Sequence, residues 1–255
     1  VKRSPNYERI ADSYDQRFQD GDADGVATLI HSTFDRLEPR RLLEAACGTG
    51  HWLSMLRAPA LVVGLDRSPA MLHQAIAKGP ASELVQGDAC ALPLVAAWAD
   101  AVLCVHALHH FDPPSAFLAE AARVLQPGGH LLIVGANPHS QATDWYVYRY
   151  FEGVRQRDLD RFPHSDEVAG FLLECGMTIE GRGIAERIRE RRIGPDVFND
   201  PFLDRHGSSQ LALLSAEAFD MGMDRIRRAV QADRGQSFVV RMDLEYLLAR
   251  RPLDR

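Results

Sequence analysis

Residues 42–50, Leu-Leu-Glu-Ala-Ala-Cys-Gly-Thr-Gly, constrain the fold more than any other stretch of the chain. An apolar run ends in a short glycine-punctuated loop, and an amphipathic stretch from His51 to Arg57 follows. That order predicts strand, tight turn, helix. Glycines in such a turn let the backbone approach a ligand with no Cβ in the way. The helix start offers unpaired N–H groups to something negative or polar. The alternation then repeats: apolar runs predict strands over 41–47, 61–66, 83–87, 100–106 and 130–135, and helical spacing predicts helices over 50–57, 69–78 and 114–125. Strands alternating with helices imply a parallel sheet covered on both faces.

In such sheets ligands sit at the carboxyl ends of the strands. Gly48, Asp66, Asp88 and His106 fall there. Asp66 lies close to the ~20-residue offset expected of an acid that binds a ribose. Its alternative role is to cap the helix starting at Pro69, which Ser68 could do instead. The loop argues against a dinucleotide, because Leu53 stands where a third glycine would let helix and strand pack closely. Glu44, on the strand entering the loop, would repel a pyrophosphate and suits a ligand carrying an ammonium group. S-adenosylmethionine has that ammonium, a carboxylate and a ribose.

The segment Glu44-Ala45-Ala46-Cys47-Gly48-Thr49-Gly50 resembles motif I of the class I S-adenosylmethionine-dependent methyltransferases, with Ala46 in place of the first glycine. The likeness continues through Val63–Ser68, Gln86-Gly87-Asp88-Ala89, Leu108-His109-His110-Phe111 and Arg123–Gly129, in the order of the small-molecule group that includes the ubiquinone-biosynthesis type. The resemblance implies a Rossmann-like α/β fold. Its sheet has seven mostly parallel strands with helices on both faces and the last strand antiparallel. Helical or irregular insertions follow strand 5 and separate strands 6 and 7. It implies one domain over 1–255: cofactor-covering helices in 1–37, a cofactor-binding core over 40–136, and substrate-side insertions at 137–164 and 186–232. It implies S-adenosyl-L-methionine as cofactor, S-adenosyl-L-homocysteine as product, and cofactor contacts from Tyr14, Glu44, Ala46, Cys47, Gly48, Gly50, Asp66, Arg67, Met71, Asp88, Ala89 and His106.

Methyl transfer is a displacement at a sulfonium carbon, so the leaving group needs no acid. Holding the nucleophile in line supplies on the order of 7–11 kcal/mol in well-oriented systems. A base adds roughly 10²–10⁴-fold where the nucleophile must lose a proton, and histidine suits that task. The resemblance places His109 or His110 near the methyl group, with His109 slightly favoured. A packing or capping histidine is the competing reading of either. Beyond residue 137 the rhythm breaks. Trp145, Tyr146 and Arg149 are the candidate acceptor contacts, aromatic walls suiting an apolar or planar molecule. An amphipathic helix with rings packed downward is the alternative. A helix over 165–175, a strand over 177–185, a charged irregular stretch over 186–212, a helix over 215–232 and a strand over 238–248 complete the reading.

Composition narrows the partners. With 29 basic against 35 acidic residues, nucleic acid is not favoured. Pro5 interrupts a polar N-terminal stretch unlike a signal peptide, and no apolar run approaches the ~20 residues of a membrane span. Four dispersed cysteines without metal spacing fit buried thiols in a cytoplasmic protein that binds no metal. Three other functions remain open: a nicotinamide dehydrogenase, disfavoured by Glu44 and Leu53; an aminopropyltransferase, which needs paired acids for a polyamine; and a non-enzymatic S-adenosylmethionine-binding protein. The acceptor atom and the oligomeric state are not legible.

Overall fold

The computed structural model describes residues 7–11, 14–15, 24–56, 61–78 and 83–254. Pro5, Asp12, Ser13 and Arg57 lie outside the described residues. The apolar runs of the first half form parallel strands β1 (Arg41–Ala45), β2 (Leu61–Asp66), β3 (Glu83–Gln86), β4 (Ala99–Val105) and β5 (Leu125–Ala136). The second half adds β6 (Asp144–Trp145), β7 (Thr178–Ile193) and β8 (Ser237–Arg250), all antiparallel partners in one sheet of order β3-β2-β1-β4-β5-β8-β6, with β7 on β8. The sheet therefore has eight strands, one more than expected; the extra one, β6, is a two-residue pairing with Arg241 and Val240 that no sequence period signals.

Side-chain alternation explains the two-faced core. Along β4, Val102 and Cys104 face the layer of α3 (Pro114–Val124) and α6 (Ser165–Glu174), while Ala101, Leu103 and Val105 face α1 (Asp24–Leu37). Strands buried on both faces read as continuous apolar runs, which is why β1, β2 and β4 were legible. α2 (Pro69–Ala77) is capped by Ser68, whose hydroxyl accepts from Met71 N at 3.2 Å, so Asp66 is not the cap. The helix expected over 50–57 is a turn: Leu53–Met55 is 3₁₀, with Met55 N–H bonded to the Trp52 carbonyl and Leu56 N–H to that of Leu53.

The stretch expected to be irregular from residue 186 is instead the outer part of β7, paired with β8 as far as Ile193. Its charges hide a period of two, in which Glu186, Ile188 and Glu190 turn one way and Arg187, Arg189 and Arg191 the other. The far end of the β7–β8 ribbon carries a cap of α4 (Val147–Tyr150), α5 (Val154–Arg161), α7 (Ser209–Ala212) and α8 (Ala216–Ala232). The cap has its own apolar core around Tyr146, Phe151, Val197, Leu211, Ile226 and Phe238. Among the described residues no helix is long and apolar enough to cross a membrane.

Candidate functional site

The loop after β1 is bent by three residues at positive φ: Ala46 (57°), Gly48 (54°) and Gly50 (72°). A Cβ on Gly48 would meet nothing within 4 Å, whereas one on Gly50 would press on Ala75 of α2 at 3.0 Å. Gly48 thus leaves room at the cavity, and Gly50 lets α2 approach. Gly48 N–H donates to Asp66 Oδ2 at 2.8 Å, and Ser68 N–H donates to Oδ1 at 2.9 Å. Asp66 therefore holds the loop in shape from the end of β2. Burial raises its carboxyl pKa, and these N–H groups pull it back down.

Glu44 is fully enclosed beneath the loop, and its Oε2 has no hydrogen-bond partner. Its carboxyl pKa stands well above the usual carboxylate range, first because of burial and then because of the Asp66 charge. A buried carboxyl with an unpartnered oxygen close to a second buried acid favours a cation at this loop. The ammonium and ribose hydroxyls of S-adenosylmethionine match this donor-poor, acceptor-rich pair, and a pyrophosphate does not.

The cavity at this end of the sheet has a volume of about 640 Å³. Tyr14, Ala46, Gly48, Asp66, Arg67, Met71, Asp88, Ala89, His106 and His110 all border it. Cys47 and Glu44 do not: the Cys47 side chain belongs to the core on the α1 side, and burial pushes its thiol pKa up. Gly50 packs behind the loop. Asp88 forms a turn, accepting from Cys90 N–H at 2.8 Å, and still faces the cavity.

The sequence predicts a covering segment in 1–37 but not the contacts that anchor it. Thr49 Oγ1 donates to Asp15 at 2.5 Å, Lys78 Nζ pairs with the same carboxylate at 2.5 Å, and Ser68 Oγ donates to Glu8 at 2.6 Å. Thr49 and Ser68 lie in the motif segments, but their partners Asp15, Lys78 and Glu8 are far from them in sequence and belong to no motif.

Beyond the cofactor cavity lie two smaller chambers. A cap chamber of about 180 Å³ is bordered by Trp145, Phe202 and Met242, and a strand chamber of about 360 Å³ lies over β5, β8 and β7. His106, at a positive φ of 52°, borders all three spaces. An uncommon backbone conformation at such a junction is the kind of strain found at functional sites. His109 borders only the two outer chambers and stacks on Phe162 with ring centroids 3.9 Å apart. His110, the less favoured histidine in the sequence reading, is the one of the pair that reaches the cofactor cavity.

His110 lies between Tyr7 Oη, 2.7 Å from Nε2, and Arg161 Nη2, 3.4 Å from Nδ1. A guanidinium only donates. Nδ1 is thereby assigned as acceptor, and Nε2–H donates to Tyr7.

Two expected acceptor contacts do not border these chambers. Tyr146 is buried in the cap core with its hydroxyl donating to Asp200 at 2.7 Å, because its ring completes that core and its oxygen needs a partner there. Arg149 points outward and pairs with Asp144 at 2.6 Å, because helix α4 turns it to the solvent side. Of the three, Trp145 alone borders a chamber.

The profile of the methyltransferase domain family matches residues 43–133. A protein of Mycolicibacterium smegmatis designated an S-adenosylmethionine-dependent methyltransferase is 30% identical over 197 residues, 73% of this chain and 76% of that protein. The chain belongs to the class I S-adenosylmethionine-dependent methyltransferases. The phthiotriol/phenolphthiotriol dimycocerosates methyltransferase of Mycobacterium leprae is 40% identical over 126 residues, 47% of each chain. The chain spans about half the length of the first curated relatives it matches. Among solved structures, the YcgJ protein of Bacillus subtilis superposes with a TM-score of 0.64 at 16% identity, covering 89% of this chain and 98% of that one. The family profile thus spans the cofactor half of this methyltransferase and stops before the cap.

Proposed function

We propose that this methyltransferase transfers a methyl group from S-adenosylmethionine to a small-molecule acceptor seated on the far side of His106. The observation that carries this reading is the shared wall: His106 borders the cofactor cavity and both outer chambers. S-adenosylmethionine supplies a methyl carbon already activated by the sulfonium. The new bond uses the acceptor's lone pair, the carbon–sulfur pair returns to sulfur, and any acceptor proton passes to a base or to water. Asp66 and the loop above Glu44 orient the donor, Tyr7 and Tyr14 cover it, and the outer chambers exclude water and align the acceptor. With both ring nitrogens of His110 engaged, that residue positions Tyr7, and His106 is the candidate base.

A polyamine acceptor is not favoured. Three carboxylates border the cap chamber, yet Asp200 accepts from Tyr146 and faces Arg192 at 3.5 Å, Glu190 pairs with Arg192, and Glu186 accepts from Val26 N–H. Calorimetric titration tests the cofactor: S-adenosylhomocysteine should bind, NAD should not, and Asp66→Ala should weaken binding by about 100-fold, the loss of two hydrogen bonds to a charged group. Tight NAD binding instead would overturn the reading. Methyl transfer to an acceptor panel, followed by mass spectrometry, separates an enzyme from a binding protein. His106→Asn should lower turnover more than His110→Asn does.

A further inference from the structure

Gly135 has no evident structural reason to be glycine. It lies in β5, opposite Glu245, without the positive φ that would require it. A Cβ there would meet nothing within 4 Å, whereas every other described strand glycine has a neighbour in that range. Glycine inside a strand costs roughly 0.5–1 kcal/mol relative to alanine. What the missing side chain leaves is the floor of the strand chamber, whose inner end is His106 and whose outer end is the half-exposed Arg182.

The cap chamber, at about 180 Å³, falls below the roughly 300–1,000 Å³ of ordinary small-molecule sites. The strand chamber supplies the missing volume. The two share His106, His109, Ala136 and Phe162, and the His109–Phe162 stack stands between them. They therefore diverge from the point where the cofactor cavity opens.

Resting on the methyl-transfer reading, we propose that the acceptor is methylated at an interior atom, with one apolar arm in the cap chamber and a second over Gly135. Gly135 is then a specificity-determining residue, and an acceptor reacting at the end of a single arm fills only half the site. The cap arm meets Trp145 and Phe202, and the other arm meets Ile133 and Leu247. The polar Asn137 and Glu245 of the strand chamber bond each other and Arg182 pairs with Asp166, so both arms are apolar or aromatic.

The test uses the full chain saturated with S-adenosylhomocysteine and two probes titrated by calorimetry. Diphenylmethanol carries two phenyl arms on one carbinol carbon; benzyl alcohol carries one. Diphenylmethanol should bind about tenfold tighter or better, the effect of burying one more ring. Gly135→Val should reduce its affinity to that of benzyl alcohol and leave S-adenosylhomocysteine binding within about twofold, because the added side chain enters open space. Gly135→Ala should give a smaller loss in the same direction, and it decides the matter if the valine variant does not fold. Equal affinity for the two probes, no binding of diphenylmethanol, or wild-type diphenylmethanol affinity in a folded Gly135 variant would each overturn the proposal. Failure of S-adenosylhomocysteine to bind the wild-type chain removes the methyl-transfer reading itself, a separate result.

Discussion

The cofactor half and the cap both bury carboxylates, and they treat them in opposite ways. In the cap, Asp158 is 1% exposed, accepts from the Tyr148 hydroxyl at 2.8 Å and faces the Arg161 guanidinium at 3.8 Å. Asp200 has Tyr146 and Arg192. In the cofactor half, the Asp66 charge raises the cost of ionising Glu44, and Glu44 forms no ion pair among the described residues. Its Oε2, like Oδ1 of Asp158, accepts no hydrogen bond, but Asp158 has a guanidinium facing it. Buried charges are kept where they are compensated or where a ligand compensates them. The cap therefore spends its acids on its own architecture, and the loop after β1 reserves its acids for a cation from outside.

The largest expected effect breaks the cap side of that contrast. Arg161→Ala leaves Asp158 buried with only the neutral donors Tyr148 and Gln210 bonded to it, and removing one partner of a buried pair costs about 3 kcal/mol or more. For a chain of this size that lowers the melting temperature by roughly 10 °C, readable by calorimetric melting. A change under about 2 °C would show that the pair contributes little.

Next comes the pH dependence on the cofactor side. Glu44 has its folded-state pKa raised above the unfolded value, first by burial and then by Asp66. Between those two values the native state holds the extra proton, so the ligand-free protein loses stability as pH rises through that window. An ammonium bound over the loop favours the ionised form of the carboxyl beneath it by charge attraction. S-adenosylhomocysteine affinity should therefore rise with pH over the same window, with protons released on binding. Glu44→Gln should flatten most of this rise and make the ligand-free protein more stable near neutral pH. Calorimetry in buffers of different ionisation enthalpy reads the proton release.

The smallest effect sharpens the account of the loop. Ala46 sits at φ 57°, a conformation costing an L-residue roughly 1–2 kcal/mol. Ala46→Gly relieves that strain and adds unfolded-state entropy, for a net gain of about 0.5 kcal/mol. The melting temperature should rise by about 1–2 °C.

The legible parts of the molecule are those whose physics is local. Strands β1, β2 and β4 are buried on both faces and read as apolar runs, and Ser68-Pro69 fixed the start of α2 by its own chemistry. Asp66, Asp88 and His106 were found because a parallel sheet puts strand ends at the ligand. The misreadings share a cause as well. β7 is an edge strand whose charges satisfy cross-strand partners such as Asp243, so its alternation is hidden beneath arginines and glutamates. Tyr146 and Arg149 stand four positions or fewer from Trp145, but only packing on the β7–β8 ribbon decided which of them turns to the core, the solvent or the chamber.

The sequence by itself determined the order of strands through residue 136, the helices after Ser68 and Pro113, the glycine loop and the acid that favours S-adenosylmethionine over a dinucleotide. These depend on side-chain period, backbone freedom and charge, all of which reside in neighbouring residues. Tertiary structure alone decided that His106 joins three cavities, that Arg161 and Tyr7 hold His110, and that the bare backbone of Gly135 floors a chamber. Each of those depends on segments far apart in the chain meeting at one point, and no spacing along a sequence records where that point is.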